Sequence, residues 1–362
     1  MNLSLIDNII NSAIREGLFS GAALSISLGS SLVIERYYGR HSFVPWIRKI
    51  DENSIFDLAS LTKPIGTTLG IALLITEKKV SLTDNISSFY KHCPKDKAKI
   101  TISQLLSHTS GLPPWLPLYK KALDKKDTRK EYEKSILTAK LSYKPGASCM
   151  YSDLGFILLG FIIEKVSNMP LLVFFEKKLF KPSGVNFYVP SYLKNSNIKN
   201  LAVPTGYCHI RKRQVVSEVN DLNAAFSSHF LGHAGLFSNL QALNSYLKFV
   251  LDVYKNKIKL TDWINSDILK KMFTRLKRPA NTTFALGFDT PSEKESSAGK
   301  YFSKNSIGHL GYTGTSFWID LDKDIIIIFL SNRTFPYDKK EERLKMKVFR
   351  SKLHDEVMKA VF

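Results

Sequence analysis

Apolar residues recur at three- and four-residue spacing through Leu3, Leu5, Ile6, Ile9, Ile10, Ala13 and Ile14, which predicts an amphipathic surface helix at the start of the chain. Two β-rich runs follow, over residues 22–27 and 31–38, and Leu28-Gly29-Ser30 between them has the length and chemistry of a hairpin loop. From about residue 82 to 264 the pattern turns helical, most clearly over 102–106, 154–166 and 240–253. Short runs rich in β-branched and aromatic residues then return at 284–288, 306–310, 316–321 and 324–330, the pattern of a strand meander. A last amphipathic stretch, 339–361, sets Leu344, Met346, Val348, Leu353, Val357 and Val361 among many charges and predicts a helix lying on a sheet face.

Strands at both chain ends with helices between them give an α+β class. One antiparallel sheet is expected from both termini (1–80 and 280–362), flanked by terminal helices, with a mainly helical region (81–279) inserted and a cleft between the two parts. The 362 residues are 44% apolar, ample for a packed core and against a disordered chain. Lysine and arginine exceed aspartate and glutamate by 52 to 32, giving +20, but the lysines are spread along the chain and form no tail. That excess favours anionic partners in general. No basic-aromatic stripe, phosphate loop or dinucleotide fingerprint accompanies it, so neither nucleic acid nor a nucleotide cofactor is expected.

The longest apolar runs, 156–163 and 325–330, fall short of the ~18 residues of a membrane span. The first seventeen residues lack the uninterrupted apolar core of an export signal, so the expected location is cytoplasmic, with a periplasmic one left open. Cys93, Cys149 and Cys208 lie far apart without metal-binding spacing, the pattern of reduced thiols. Residues 118–140 are crowded with charges (Lys120, Lys121, Asp124, Lys125, Lys126, Asp127 and others) and read as a solvated helix or a flap.

The sharpest chemical signal is Ser60-Leu61-Thr62-Lys63, followed by Pro64 and a helical run. With Ser60 at a helix start, Lys63 lies on the same face, and the first backbone N–H groups are open to a developing oxyanion. A serine hydroxyl needs such a neighbour to become a nucleophile. Tyr151, in Tyr151-Ser152-Asp153 after the Pro145-Gly146 turn, would be a base if a nearby lysine eased its ionisation. His309 stands on a glycine-flanked strand in Gly308-His309-Leu310-Gly311-Tyr312. His108 reads as a structural histidine ending a helix. His229 and His233 have an i, i+4 spacing open to a metal, but with glycines between them and no third ligand no metal site is expected. Trp115, after Pro113-Pro114, reads as a packing residue or part of a flap over the cleft.

Taken in order, Ser60-Leu61-Thr62-Lys63, Tyr151-Ser152-Asp153 and His309-Leu310-Gly311 resemble the three motifs of the serine β-lactamase and penicillin-binding-protein superfamily, in its class C-like branch of esterases and D-Ala-D-Ala carboxypeptidases. The likeness extends through 101–113, 155–160, Gly232-His233-Ala234-Gly235 and Asn332-Arg333.

The resemblance implies a serine hydrolase that works through an acyl-enzyme and needs no cofactor or metal. Ser60 attacks, Tyr151 with Lys63 moves the proton, and the N–H groups of Ser60 and Tyr312 hold the oxyanion. His309 orients Tyr151 and titrates near neutrality. Asp153, Gly311 and Tyr312 contact the substrate, a small ester, amide or muropeptide. Two positions depart from the family pattern. Asp153 replaces an asparagine, which favours pairing with Lys63. Leu310 replaces a threonine that helps to hold a carboxylate, which argues against efficient β-lactam hydrolysis. The competing reading is a non-catalytic muropeptide- or β-lactam-binding protein on the same scaffold.

Overall fold

The computed structural model describes residues 3–29, 32–44, 47–123, 125–194 and 198–362. Ser30 and Ser31 of the expected hairpin, and Asp124 of the charged stretch, lie outside the described residues. Helix α1 (Ser4–Arg15) turns Ile6, Ile9, Ile10 and Ala13 inward, the stripe seen in the sequence. Strands β1 (Gly21–Leu28) and β2 (Leu32–Gly39) pair antiparallel, and β3 (Ser306–Leu310), β4 (Ser316–Asp320) and β5 (Ile325–Ser331) form the C-terminal meander. The sheet order is β2-β1-β5-β4-β3, every neighbouring pair antiparallel, so β1 lies against β5 and joins the two ends of the chain.

Between the two sets of strands come α2 (Leu69–Thr76), α3 (Ile102–Leu106), the charged α4 (Arg129–Thr138), α5 (Asp153–Ser167) and α6 (Leu240–Tyr254), before α7 (Lys340–Val361) closes the described chain. Alternation along β5 explains why its sequence is apolar throughout. Ile325, Ile327 and Phe329 pack with α1 and α7 on one face, while Ile326, Ile328 and Leu330 join the core shared with the helical insert on the other. The charged α4 is tied down by Arg129, whose Nη1 lies 2.6 Å from the buried Glu164 carboxylate of α5. Thr101 caps α3 reciprocally with Gln104, fixing the helix whose C-terminal turn leads into His108.

Two sequence expectations need correction. Residues 284–288 do not form a strand: Gly287 has φ +82° and the Ala285 N–H donates to Phe288 O at 2.9 Å, so the segment is a turn, after which Asp289 bridges to Gly308 of β3. The helical stretch Ala59–Thr76, in which a 3-10 turn runs through a wide-turn segment into α2, reaches 18 residues and is long and apolar enough to cross a membrane by length and composition. However, 83% of it is buried inside the protein, and it is a core helix.

Gly311 marks where β3 meets the turn that carries Ser60. A Cβ there would lie 2.9 Å from Leu58 O and would also press on the Thr315 side chain. Gly311→Ala is expected to cost about 1–3 kcal/mol of stability. Denaturant unfolding checks this, and an unchanged midpoint would mean the two segments have room to part.

Candidate active site

Ser60 is presented by a strained turn. Phe56 and Asp57 pair with Phe237 and Ser238, and the chain then bends sharply at Ala59, whose φ of +47° is unusual for a residue with a side chain. The buried Asp57 holds that bend: one carboxylate oxygen accepts the Ala59 N–H at 2.8 Å and the other accepts the Asn220 N–H at 2.8 Å. Burial raises the Asp57 pKa to about 6. A 3-10 turn over Ala59–Leu61 leads into the wide-turn segment Lys63–Thr68, where Pro64 sits early enough that its missing N–H costs nothing.

Lys63 is fully buried and its ammonium meets three acceptors: Ser60 Oγ at 2.9 Å, the His233 carbonyl at 3.0 Å and Asp153 Oδ1 at 2.7 Å. Its Nζ also stands 4.9 Å from the Tyr151 ring centre. Burial acts to lower its pKa, but the Asp153 carboxylate and the Tyr151 hydroxyl outweigh that and hold it above the ordinary lysine value. The Tyr151 phenol interacts with both Lys63 and Ser60, yet burial, reinforced by Asp153, raises its pKa in spite of Lys63. The expectation that the neighbouring lysine makes this phenol ionise more readily is therefore corrected: at rest the site holds an ammonium and a neutral phenol.

Asp153 is the first residue of α5, its N–H bonded to Pro114 O at 2.9 Å. His108 positions this corner. It sits at φ +58°, accepts the Ser152 N–H on Nδ1 at 3.0 Å and packs its ring 4.5 Å from that of Tyr151. His309 lies 6.0 Å from Tyr151 between ring centres, with Nδ1 2.9 Å from Leu310 O and no partner for Nε2 among the described residues. Burial, helped by Lys63, pushes its pKa down to about 3. The expected titration near neutrality is thus not His309's, because a cation there would be desolvated beside another cation.

The Gly311 N–H is bonded to Thr315 O at 2.7 Å, whereas the N–H groups of Ser60 and Tyr312 make no hydrogen bond among the described residues. They are the donors open to an oxyanion. Arg333 fixes Tyr312 by donating to its carbonyl from Nη2 at 2.7 Å and Nε at 3.2 Å, while the phenol of Tyr312 reaches Asp338 and Arg343. A cavity of about 300 Å³ includes Ser60, Tyr151, His309 and Gly311 in its wall, and one of about 790 Å³ opens on the other side past Asp153 and Trp115.

The structure thus gathers Ser60, Lys63, Tyr151, Asp153, His309, Gly311 and Tyr312 around one cleft. Sequence reasoning passed over Asp57 and Asp221, and met His233 and Arg333 only in motif flanks or as a doubtful metal ligand. His233 instead faces Asp221 at 2.8 Å and His229 faces Asp127 at 2.9 Å, and no group of three metal-ligating side chains occurs among the described residues.

A nucleophilic serine at a helix start, a buried lysine within hydrogen-bonding distance and two open N–H groups define a serine acyl-transfer site. The chain belongs to the beta-lactamase family, whose model matches residues 6–348. It is 31% identical over 363 residues to an N-acetylmuramyl-L-alanine amidase of Bacillus subtilis, covering 91% of this chain and 81% of the relative. It is also 31% identical over 310 residues to a putative D-alanyl-D-alanine carboxypeptidase of Salmonella paratyphi B, covering 78% and 70% respectively. A beta-lactamase/D-alanine carboxypeptidase from Pseudomonas syringae shares the fold, with a TM-score of 0.72 at 20% identity over 97% of this chain and 98% of that one.

With Lys63 charged and Tyr151 neutral, the pair must lose a proton before Ser60 can give one up, so acylation should accelerate as pH rises. The Asp153 charge raises the pKa of both groups. Asp153→Asn is therefore expected to move the ascending limb of the kcat/KM profile to lower pH, whereas His309→Gln leaves its position unchanged. The reverse pattern would return the titration to His309.

Proposed function

We propose that this serine hydrolase cleaves amide or ester bonds in small, peptide-bearing substrates of cell-wall type. Ser60 Oγ adds to the carbonyl carbon while its proton passes to the deprotonated Tyr151–Lys63 pair. The oxyanion forms between the N–H groups of Ser60 and Tyr312. The same pair returns the proton to the departing amine or alcohol as the C–N or C–O bond breaks. Water then attacks the ester on Ser60, its proton is taken up by the pair and passed on to Ser60 Oγ as the C–O bond to Ser60 breaks, and the acid leaves. The observation that carries this reading is the 2.9 Å contact of Lys63 Nζ with Ser60 Oγ inside a cleft that leaves both N–H groups open.

The cell-wall class is supported by the names of the two relatives at 31% identity, one an amidase of muramyl-L-alanine and one a putative carboxypeptidase. Leu310 offers no hydroxyl to a β-lactam carboxylate, so β-lactams are poor substrates in this reading.

A fluorophosphonate probe should label the wild type once per chain and fail to label Ser60→Ala. Lys63→Ala should cut kcat/KM on a p-nitrophenyl ester by about 10²–10⁴. Wild-type hydrolysis of muramyl-L-alanine and D-Ala-D-Ala amides, compared with the ester, then tests the substrate class. Labelling that survives Ser60→Ala would remove the enzyme assignment. Turnover of the ester with none of the peptides would remove the cell-wall class alone.

A further inference from the structure

The wall of the cavity of about 300 Å³ beside Ser60 includes ionisable groups that the acyl-transfer chemistry does not use, Asp289, Arg343 and Arg350. Asp289 is fixed along the β3 edge by two backbone hydrogen bonds with Gly308, at 2.8 and 2.9 Å. Both hydrogen bonds to its side chain, from Thr283 Oγ1 at 2.8 Å and the Thr290 N–H at 2.9 Å, end on Oδ1. Among the described residues nothing bonds or ion-pairs with Oδ2. Arg275 is the cation that acts on this carboxyl, but its two terminal nitrogens are spent on the carbonyls of Pro291 and Thr282. Burial raises the Asp289 pKa to about 6, which leaves it mostly ionised at neutral pH. The wall of the catalytic cavity therefore carries a carboxylate that no cation pairs with directly among the described residues.

Cations gather further along the same edge. Arg350 of α7 reaches beneath the turn after β3, its Nη2 donating to Gly311 O at 3.2 Å and Thr315 O at 2.8 Å, and its Nε has no partner. No carboxylate pairs with this buried guanidinium among the described residues. Arg343 and Arg333 both lean on Asp338, so among the described residues three guanidiniums in one cavity wall have a single acidic partner. Asp289 is anchored at Gly308 and Arg350 at Gly311, three residue steps apart, roughly 10 Å of chain at strand rise, so the two groups enter the cavity wall at different points along this edge.

We propose that this cavity takes the part of the substrate bearing both a free ammonium and a free carboxylate, the ammonium on Asp289 Oδ2 and the carboxylate at Arg343 and Arg350. The favoured chemical class is a diamino-acid residue with an open α-carboxylate, and a neutral ester leaves both ends of the cavity unmatched. The assignment deepens the hydrolase reading above and rests on it only for the place of the cavity beside Ser60.

The test is inhibition of wild-type p-nitrophenyl acetate hydrolysis by Nα-acetyl-lysine, Nα-acetyl-norleucine (no amine) and Nα-acetyl-lysinamide (no carboxylate), each as both enantiomers. One enantiomer of Nα-acetyl-lysine should inhibit at concentrations about tenfold lower than either truncated compound. Asp289→Asn should abolish the lysine-over-norleucine ratio and keep the acid-over-amide ratio; Arg343→Gln should do the opposite. Each ratio is taken within one protein, so a general change in activity cancels. Equal inhibition by all three compounds on the wild type overturns the proposal, as does a lysine-over-norleucine ratio that survives Asp289→Asn. Should that variant fail to fold, the wild-type series still decides. Should Ser60-dependent hydrolysis be absent, it is the hydrolase reading that fails, and calorimetric binding of the same three compounds to the wild type tests the cavity by itself.

Discussion

Everything at this site depends on how a fully buried ammonium is kept charged. Lys63 has no water to solvate it, so each of its N–H bonds must find an acceptor inside the protein, and Ser60, His233 and Asp153 provide them. Those acceptors come from three separated parts of the chain. Removing one partner of such a buried charge pair is generally worth about 3–5 kcal/mol, comparable to a large fraction of a domain's net stability. The electrostatics that hold the site together thus also hold the helical insert against the Ser60 turn.

The same arrangement sets the reactivity. A lysine held charged by a carboxylate and a phenol kept neutral by burial store no ready base at rest. Asp153 is the residue that tips this balance, because its charge favours the protonated form of both neighbours. The two histidines nearest the phenol stay uncharged for one reason: each is buried close to the Lys63 cation. His108 is thereby free to act as a hydrogen-bond acceptor that sets the corner of Tyr151 and Asp153.

Much of the fold was legible because burial on two sides or one leaves a direct trace in a sequence. The all-apolar run ending in Leu330 is a strand covered on both faces, and the stripe in residues 3–14 is a helix covered on one. The segment 284–288 misled, since its composition is that of a strand while Gly287 bends it at φ +82°, with Thr68 standing where a Cβ would be. The charged stretch around α4 read simply as solvated, and nothing local announced that Arg129 reaches the buried Glu164.

By itself the sequence pointed to the class of chemistry, because Ser60-Leu61-Thr62-Lys63, Tyr151-Ser152-Asp153 and His309-Leu310-Gly311 occur together and in order, while the Ser60–Lys63 spacing alone puts the two side chains on one face only if the segment is helical. It also suggested one sheet from both chain ends, but each end can satisfy its backbone by pairing within itself, and the β1–β5 pairing that joins them is a feature of the tertiary structure. Protonation states were decided by the tertiary structure alone. They follow from burial and from charges brought in from distant segments, and no local pattern encodes either the distance between Lys63 and Asp153 or the Asp289 carboxylate left without an ion pair among the described residues.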